Sequence, residues 1–237
     1  MKKKNVGEGI SYSNSEWNFH KIDPKAFDDH LKKSVPFYSE GHELILRLSD
    51  FFLPDKSTCY ELGCSNGNLI NSIANKHANR NVEFIGIDNS KKLIDEANSR
   101  KKNKNLKFNY ADLNAIKLKK SDLILSYYTI QFIQPRYRQD LIQKIYNSLN
   151  WGGCFIMFEK IRANDARFQD IWTSVYNDFK TEKGYSDKEI NNKSRSLRGV
   201  LEPFSINGNL DMLRRSGFVD IEQVMTYIPF SGFLAIK

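Results

Sequence analysis

The fold is decided by the stretch Tyr60-Glu61-Leu62-Gly63-Cys64-Ser65-Asn66-Gly67-Asn68, which runs from an apolar segment through a glycine-containing turn into a helical pattern. Gly63 and Gly67 lack a Cβ atom, so they let the backbone approach a ligand closely. The helix that follows presents unpaired N–H groups to that ligand. The spacing E-x-G-x-x-x-G differs from the G-x-G-x-x-G of dinucleotide-binding proteins. It therefore favours a nucleoside ligand without a pyrophosphate.

Apolar runs and helical patterns alternate after this stretch. Buried parallel strands are predicted at residues 58–62, 82–87, 106–110, 123–128 and 154–158. Helices are predicted between most of them, at residues 69–76, 91–100 and 138–149. Two final runs, 218–226 and 233–237, predict an antiparallel hairpin whose connection is residues 229–232. The pattern predicts an α/β fold with a Rossmann-like, doubly wound, seven-stranded sheet that is mostly parallel.

The chain has 237 residues, a length that fits a single domain, and it contains no repeat or linker. Residues 1–50 are predicted to form an N-terminal arm and helix that cover the cofactor site, with the helical pattern over residues 25–52. Residues 51–237 are predicted to form the cofactor-binding domain. Within it, a helical insertion on the substrate side is expected at about residues 161–209.

The composition narrows the function classes. The net charge of +8 comes from scattered lysines and arginines, so nucleic-acid binding stays open without being indicated. No apolar run is long enough to span a membrane and no signal peptide is recognisable, so we expect a cytoplasmic protein without a membrane partner. Cys59, Cys64 and Cys154 lack metal-binding spacing, so we expect reduced thiols and no metal site.

Two acids downstream extend the predicted ligand site. Asp88 ends the strand at residues 82–87, where its carboxylate could accept both hydroxyls of a ribose. Asp112 follows the next strand, where it could accept from an adenine amino group while Leu113 covers the ring. An acid at a strand end often only caps a helix. The three motifs in order, however, predict an adenosine site at the switch point of the sheet.

With these motifs the chain resembles the class I S-adenosylmethionine-dependent methyltransferases over residues 50–237. More narrowly, it resembles the carboxy-S-adenosylmethionine synthases, which make a carboxylated cofactor from S-adenosylmethionine and prephenate for wobble-uridine modification in tRNA. The stretches that carry this resemblance are residues 33–39, 61–65, 87–90, 129–132, 149–153, 159–160, 178–180, 184–186 and 232–237. The resemblance implies a small-molecule substrate, and S-adenosylmethionine, its demethylated product S-adenosylhomocysteine or the carboxylated form as ligand.

The resemblance also implies cofactor contacts. They fall on Tyr38, Gly63, Cys64, Ser65, Asp88, Asn89, Asp112 and Leu113, to which the glycine-turn motif adds Glu61 and Gly67. The chain departs from the synthases at two positions. Tyr127 stands where they have an asparagine, and Ser194 stands where they have the arginine that holds the carboxylate of the modified cofactor. The nearest arginine, Arg195, is turned by about 100° on a helix.

This offset favours methyl transfer to a small acceptor, which could be anionic, because a carboxylate depends on the geometry of the arginine fork. The alternative is carboxy-S-adenosylmethionine synthesis, with Arg195 or Arg198 replacing the arginine after a local helix shift. A third reading is a non-catalytic module that binds a nucleoside or RNA.

Candidate catalytic residues are Tyr127, Glu159 and Arg195. Tyr127 and Tyr128 are adjacent on a strand, so only one of them is expected to face the cofactor. Glu159 is either a general base or half of a surface pair with Lys160. The four histidines are unclustered and receive no role. An apolar helical stripe over residues 168–179 predicts a core contact or a homodimer contact rather than a substrate pocket.

Overall fold

The computed structural model describes residues 3–237, without the side chains of Lys21 and Lys25. Its strands are β1 Lys4–Asn5, β2 Ser11–Tyr12, β3 Thr58–Leu62, β4 Glu83–Asp88, β5 Leu106–Tyr110, β6 Ser121–Tyr127, β7 Leu149–Lys160, β8 Asp220–Tyr227 and β9 Phe230–Ile236. Its α-helices are α1 Pro24–Ser34, α2 Tyr38–Phe52, α3 Asn68–Lys76, α4 Lys91–Arg100, α5 Pro135–Ser148, α6 Ala166–Glu182, α7 Asp187–Ser196 and α8 Ile206–Arg215. Short 3-10 helices lie at Phe19–Lys21 and Ile130–Phe132.

Seven strands form one sheet in the order β5-β4-β3-β6-β7-β9-β8. The strands from β5 to β7 pair in parallel, and β9 is antiparallel to both β7 and β8. Chain order reverses between β3 and β6, which makes the carboxyl ends of these strands the switch point where ligands bind in such sheets. The predicted Rossmann-like fold is therefore confirmed. No helix in the described part of the chain is both long and apolar enough to cross a membrane.

Both faces of the sheet are covered by helices. Along β7, Cys154, Ile156 and Phe158 pack on the side of α2 and α3, whereas Phe155 and Met157 pack on the side of α5 and α8. This follows from the alternation of side chains along a strand. A parallel strand covered on both faces must be apolar throughout, which is why these strands were readable as continuous apolar runs.

Several element boundaries differ from the sequence prediction, and two of these differences have a clear structural reason. The connection predicted at residues 229–232 is only Ile228 and Pro229, because β9 begins at Phe230 and pairs Gly232 with Phe158. A Cβ at Gly232 would lie 2.6 Å from the Phe158 ring, so this glycine permits close strand packing and not a turn. The helical pattern over residues 25–52 is two helices. They are separated at Val35-Pro36-Phe37, where Phe37 has a φ of 54°.

The N-terminal segment, defined here as residues 3–22, packs against α7. Its strands β1 and β2 form a hairpin, and its apolar side chains, such as Val6 and Trp17, are buried. The Nδ2 atom of Asn192 donates to the carbonyl of Asn5 at 3.0 Å, and the backbone N–H of Trp17 donates to the carbonyl of Ser196 at 3.2 Å. Segments that are far apart in the sequence therefore pack against each other.

Candidate functional site

A cavity of about 460 Å³, here the first cavity, lies at the carboxyl ends of β3, β4 and β6. Nine of the ten sequence-predicted cofactor residues line it, namely Tyr38, Glu61, Gly63, Cys64, Ser65, Asp88, Asn89, Asp112 and Leu113. Gly67 is the exception. It has a φ of 77°, and a Cβ there would lie 2.5 Å from the Phe108 ring, so its small size serves packing beneath the turn. The structure thus brings Gly63, Asp88 and Asp112 to one ligand-sized space.

The turn after β3 is fixed by backbone hydrogen bonds. The N–H groups of Gly63 and Cys64 both donate to the carbonyl of Ile87, at 2.7 and 2.9 Å. Gly63 has a φ of 74°, and a Cβ there would lie 2.2 Å from the Oγ1 atom of Thr129. Any side chain at this position would therefore collide with the loop after β6 and strain the backbone. The glycine that the sequence singled out is required by both constraints.

Asp88 holds the two loops beside it through its carboxylate. Its Oδ2 atom accepts from the Ser65 N–H at 2.9 Å, and its Oδ1 atom accepts from the Ser90 N–H at 2.8 Å. Burial raises the pKa of Asp88, although these hydrogen bonds oppose the change. An ionised carboxylate has about four lone-pair positions, so each oxygen can accept one further hydrogen bond. The geometry allows Asp88 to shape the loop and to accept ribose hydroxyls.

Asp112 and Leu113 occupy the rim of the first cavity. The Oδ1 atom of Asp112 accepts from the N–H of Asn114 at 2.9 Å and from its side-chain amide at 3.0 Å. Asp112 is exposed, whereas Leu113 is buried. The Ala111 N–H donates to the carbonyl of Asp88 at 3.0 Å, which ties the two acid-bearing loops together.

Two buried glutamates accept hydrogen bonds from backbone segments beside the first cavity. Glu61 accepts from the Ile70 N–H at 3.1 Å, and Glu159 accepts from the Ile130 N–H at 3.0 Å. Burial raises the pKa of each to about 8. Glu159 is 3% exposed, so the expectation of a surface pair with Lys160 is wrong. It does not line the first cavity, and its carboxyl instead holds the 3-10 helix after β6. Its predicted catalytic role has no geometric support here.

Tyr127 and Tyr128 both line the first cavity, contrary to the expectation that only one would. The reason is that β6 ends at Tyr127 and Tyr128 has a φ of 58°, so the strand alternation stops between them. The Tyr127 hydroxyl donates to the carbonyl of Tyr38 at 2.7 Å. The Tyr128 hydroxyl is buried and has no hydrogen-bond partner among the described residues. Of the two hydroxyls, that of Tyr128 is the one available to a ligand.

Arg195 lines neither this cavity nor the neighbouring one described below. The cations in the wall of the first cavity are Lys160 and Lys193. Lys193 lies two residues before Arg195 on α7, and two residues of an α-helix correspond to a rotation of about 200°. The two side chains therefore leave the helix on nearly opposite sides. Lys193 was not among the predicted site residues, because the resemblance to the synthases implies an arginine and not a lysine at this place in the site.

Two histidines without a predicted role also line the first cavity. The Nδ1 atom of His30 lies 2.7 Å from the Oε2 atom of Glu8, which also accepts from the Tyr185 hydroxyl at 2.7 Å. Burial lowers the pKa of His30 and of His42 to about 4. Both are neutral at pH 7, and their Nε2 atoms are buried without a partner in the described structure.

These unpartnered atoms provide a test of whether S-adenosylmethionine fits. Buried polar atoms are normally satisfied, so several unsatisfied ones around one cavity indicate a missing ligand. They are the Oγ atom of Ser65, the hydroxyl of Tyr128, the Nε1 atom of Trp17 and the Nε2 atoms of His30 and His42. Apolar residues such as Leu113 and Phe132 complete the wall. A nucleoside with a polar tail matches this mixture of surfaces.

The sequence is similar to one methyltransferase family and to relatives that share a single enzyme name. The family described as "Methyltransferase domain" matches residues 60–153. The carboxy-S-adenosyl-L-methionine synthase of Staphylococcus epidermidis is 35% identical over 96% of this chain and 100% of its own length. The enzyme of the same name from Campylobacter lari is 36% identical over 89% of this chain and 90% of its own.

Solved structures show the same fold at low identity. Human N-acetylserotonin methyltransferase, in complex with S-adenosylmethionine, has a TM-score of 0.60 and 15% identity. The match covers 90% of this chain and 55% of that one. An S-adenosylmethionine-dependent methyltransferase from Mesorhizobium loti has a TM-score of 0.56 and 19% identity, over 82% of this chain and 96% of that one.

Proposed function

Since the chain belongs to the carboxy-S-adenosyl-L-methionine synthase family of S-adenosylmethionine-dependent enzymes, we propose that it makes the carboxylated cofactor itself. In this reaction the donor, with prephenate as the candidate, loses carbon dioxide and hydroxide and becomes phenylpyruvate. The methyl carbon of S-adenosylmethionine loses a proton and forms a bond to the carbon dioxide, and the proton leaves with the hydroxide as water. The similarity to the Staphylococcus epidermidis enzyme extends along the whole of that enzyme, including the helical region beyond the common methyltransferase core. This region contains α6 and α7, which face the first cavity.

The observation that carries the proposal is the position of Lys193. Its side chain lines the same cavity as Asp88 and Gly63, so an amino group faces the cofactor-binding residues. Burial lowers the pKa of Lys193, and a bound carboxylate would favour its ammonium form. The Nζ atom lies 5.8 Å from the centroid of the Trp17 ring. It makes no ion pair within the described chain. A carboxylate added to the cofactor would supply the missing partner, as a point-charge contact instead of an arginine fork.

The chain's own residues then have distinct tasks. Asp88, Asn89, Asp112 and Leu113 hold the nucleoside, and the turn from Gly63 to Ser65 brings the backbone against it. When bound, S-adenosylmethionine supplies a methyl carbon activated by its positive sulfur. The aromatic wall of Tyr38, Tyr127, Tyr128 and Phe230 excludes water from the space beside it. Exclusion of water strengthens every electrostatic contact in the cavity.

Ordinary methyl transfer is the second candidate. The sequence alone favours methyl transfer, because Ser194 replaces the carboxylate-binding arginine of the synthases and Arg195 is displaced. With Lys193 in the cavity wall, the absence of the arginine no longer disfavours carboxyl transfer. The relatives named carboxy-S-adenosyl-L-methionine synthase favour carboxyl transfer.

Mass spectrometry distinguishes the two reactions. We expect purified protein incubated with S-adenosylmethionine and prephenate to form a product heavier than S-adenosylmethionine by the mass of carbon dioxide. Omitting prephenate should abolish the product. Exclusive formation of S-adenosylhomocysteine, together with a methylated acceptor, would refute carboxyl transfer and support methyl transfer.

Two variants test the role of Lys193. We expect Lys193→Gln to weaken binding of the carboxylated cofactor at least about tenfold, because a hydrogen-bonded ion pair is worth about 1.5–3 kcal/mol. Binding of S-adenosylmethionine, which lacks the added carboxylate, should be nearly unchanged. Arg195→Gln is the matched control, since Arg195 lines neither cavity. Equal losses for the two ligands in Lys193→Gln would contradict the assignment.

A further inference from the structure

A second cavity, of about 740 Å³, adjoins the first. The two share the lining residues Lys160, Tyr176, Lys193, Leu197 and Leu201. Lys180 lines only the second cavity. The remaining wall mixes apolar residues with polar ones, among them Gln169 and Asn177 from α6 and Asn191 from α7. A ligand in this second cavity would therefore lie directly against the cofactor cavity.

The wall between the cavities carries buried positive charge. The Nζ atoms of Lys160 and Lys180 lie 4.7 and 4.3 Å from the centroid of the same ring, that of Tyr176. Lys180 is only 7% exposed. Within residues 3–237, neither ammonium group makes an ion pair or a hydrogen bond. Buried charges are normally paired, and an aromatic ring offsets only part of the cost of burying one.

The charged groups around the second cavity do not neutralise these lysines. Arg162 and Arg198 line it in addition to Lys160, Lys180 and Lys193, and its acids, Asp187 and Glu202, are exposed. Burial lowers the pKa of Lys193, and the negative charge of Glu8 opposes this change. Although burial opposes it, hydrogen bonds from His30, Tyr185 and Lys33 lower the pKa of Glu8 to about 2, so this acid is already committed.

We propose that the second cavity is the binding site of the anionic donor and that Lys160 and Lys180 bind a carboxylate of that donor beside the cofactor. This assignment rests on the proposed function for the identity of the donor. An anion there converts two uncompensated charges into ion pairs, which gives a small dicarboxylate a reason to bind. The low exposure of Lys180 favours a small molecule over the backbone phosphates of a nucleic acid.

The protonation of the lysines gives the site a distinctive signature. Burial, with the nearby charge of Lys160, lowers the pKa of Lys180 to about 7, and burial lowers that of Lys160 to about 8. A bound anion stabilises the ammonium form and raises both pKa values. Donor binding near pH 7.5 should therefore take up protons from the buffer. A lysine that only packs against Tyr176 would not link protons to ligand binding.

The test is calorimetric titration of prephenate into the full chain saturated with S-adenosylhomocysteine, in two buffers of different ionisation enthalpy. We expect Lys180→Gln to weaken prephenate binding at least about tenfold and to reduce the proton uptake. Affinity for S-adenosylhomocysteine should change less than about twofold. Lys183→Gln is the matched control, because the exposed Lys183 lies 5.5 Å from the Phe179 ring as Lys180 lies over Tyr176, but it lines neither cavity.

Each outcome separates the site from the function. Unchanged prephenate affinity in both Lys180→Gln and Lys160→Gln would overturn the donor site even if the carboxylated product forms. Prephenate binding that depends on Lys180 without formation of the product would support the site and overturn the proposed function. If inorganic phosphate bound as tightly as prephenate, with the same dependence on Lys180, the carboxylate assignment would be overturned.

Discussion

Replacing Lys180 with methionine should stabilise the ligand-free protein while it weakens donor binding at least about tenfold. The size of the change in unfolding free energy follows from the pKa of Lys180, which burial lowers from 10.5 to about 7. That change corresponds to at most about 5 kcal/mol, since each pKa unit is worth about 1.4 kcal/mol. The contact of the Lys180 ammonium with the Tyr176 ring offsets part of this cost, so the gain in unfolding free energy is smaller than this limit. The apolar stem of the lysine gives no further difference, because methionine provides a similar stem. We expect Lys180→Met to gain about 2 to 4 kcal/mol at pH 6.

The sign of the pH dependence follows from linkage. Below pH 7 Lys180 is charged in both folded and unfolded protein, so its burial cost is fully present. Between pH 7 and about 10.5 only the unfolded chain holds the proton, and the cost disappears as the pH rises. Urea unfolding of both proteins from pH 6 to pH 10.5 should show the gain shrinking toward zero. A gain that is constant with pH, or a loss at pH 6, would refute the argument that Lys180 is an uncompensated buried cation.

Three further predictions concern the first cavity. Asp88→Ala should weaken S-adenosylmethionine binding at least about 100-fold in calorimetry, because the substitution removes two loop hydrogen bonds as well as a ligand contact. Arg195→Ala should change the affinity for S-adenosylmethionine less than about twofold. Gly63→Ala should lower the unfolding free energy by about 2 to 4 kcal/mol. The control is Gly199→Ala, which is also at positive φ but has no neighbour within 4 Å and should lose only about 1 kcal/mol. Equal losses would contradict the clash with Thr129. Glu159→Gln should flatten the fall in unfolding free energy between about pH 4.5 and 8. The raised pKa of Glu159 means that its protonation contributes fully to stability below pH 4.5, and this contribution is lost as the pH rises to about 8. An unchanged pH profile of urea unfolding would contradict this prediction.

The sheet and the loop from Gly63 to Ser65 were predictable because their signals are local. A buried parallel strand is a continuous apolar run, and the turn after β3 needs glycine at a fixed spacing, so both are written in consecutive residues. The strands β1 and β2, with two residues each, are too short for any periodicity. The helix break at Val35-Pro36-Phe37 had a signal in Pro36, since the residue before a proline avoids helical geometry, but the apolar pattern on both sides concealed it.

The lysines of the second cavity could not be found in the same way. Lys160, Lys180 and Lys193 come from β7, α6 and α7, and each is separated from the next by more than ten residues. Only the tertiary packing brings them to one wall, and each alone resembles any other lysine of a basic chain. The burial of Glu159 was missed for a related reason, because an acid at a strand end is exposed unless a neighbouring loop covers it.

The packing of the N-terminal segment against α7 affects the order in which the protein assembles during translation. The Nδ2 atom of Asn5 donates to the Oε1 atom of Glu189 at 2.9 Å, across 184 positions of the chain. Residues 4–12 leave the ribosome early, but the helix that they contact is synthesised much later. Trp17 cannot meet Lys193 before then. A nascent chain can thus complete β3 to β6 and the nucleoside loop while one wall of its cavity is still missing, and tight ligand capture has to wait until α7 is synthesised.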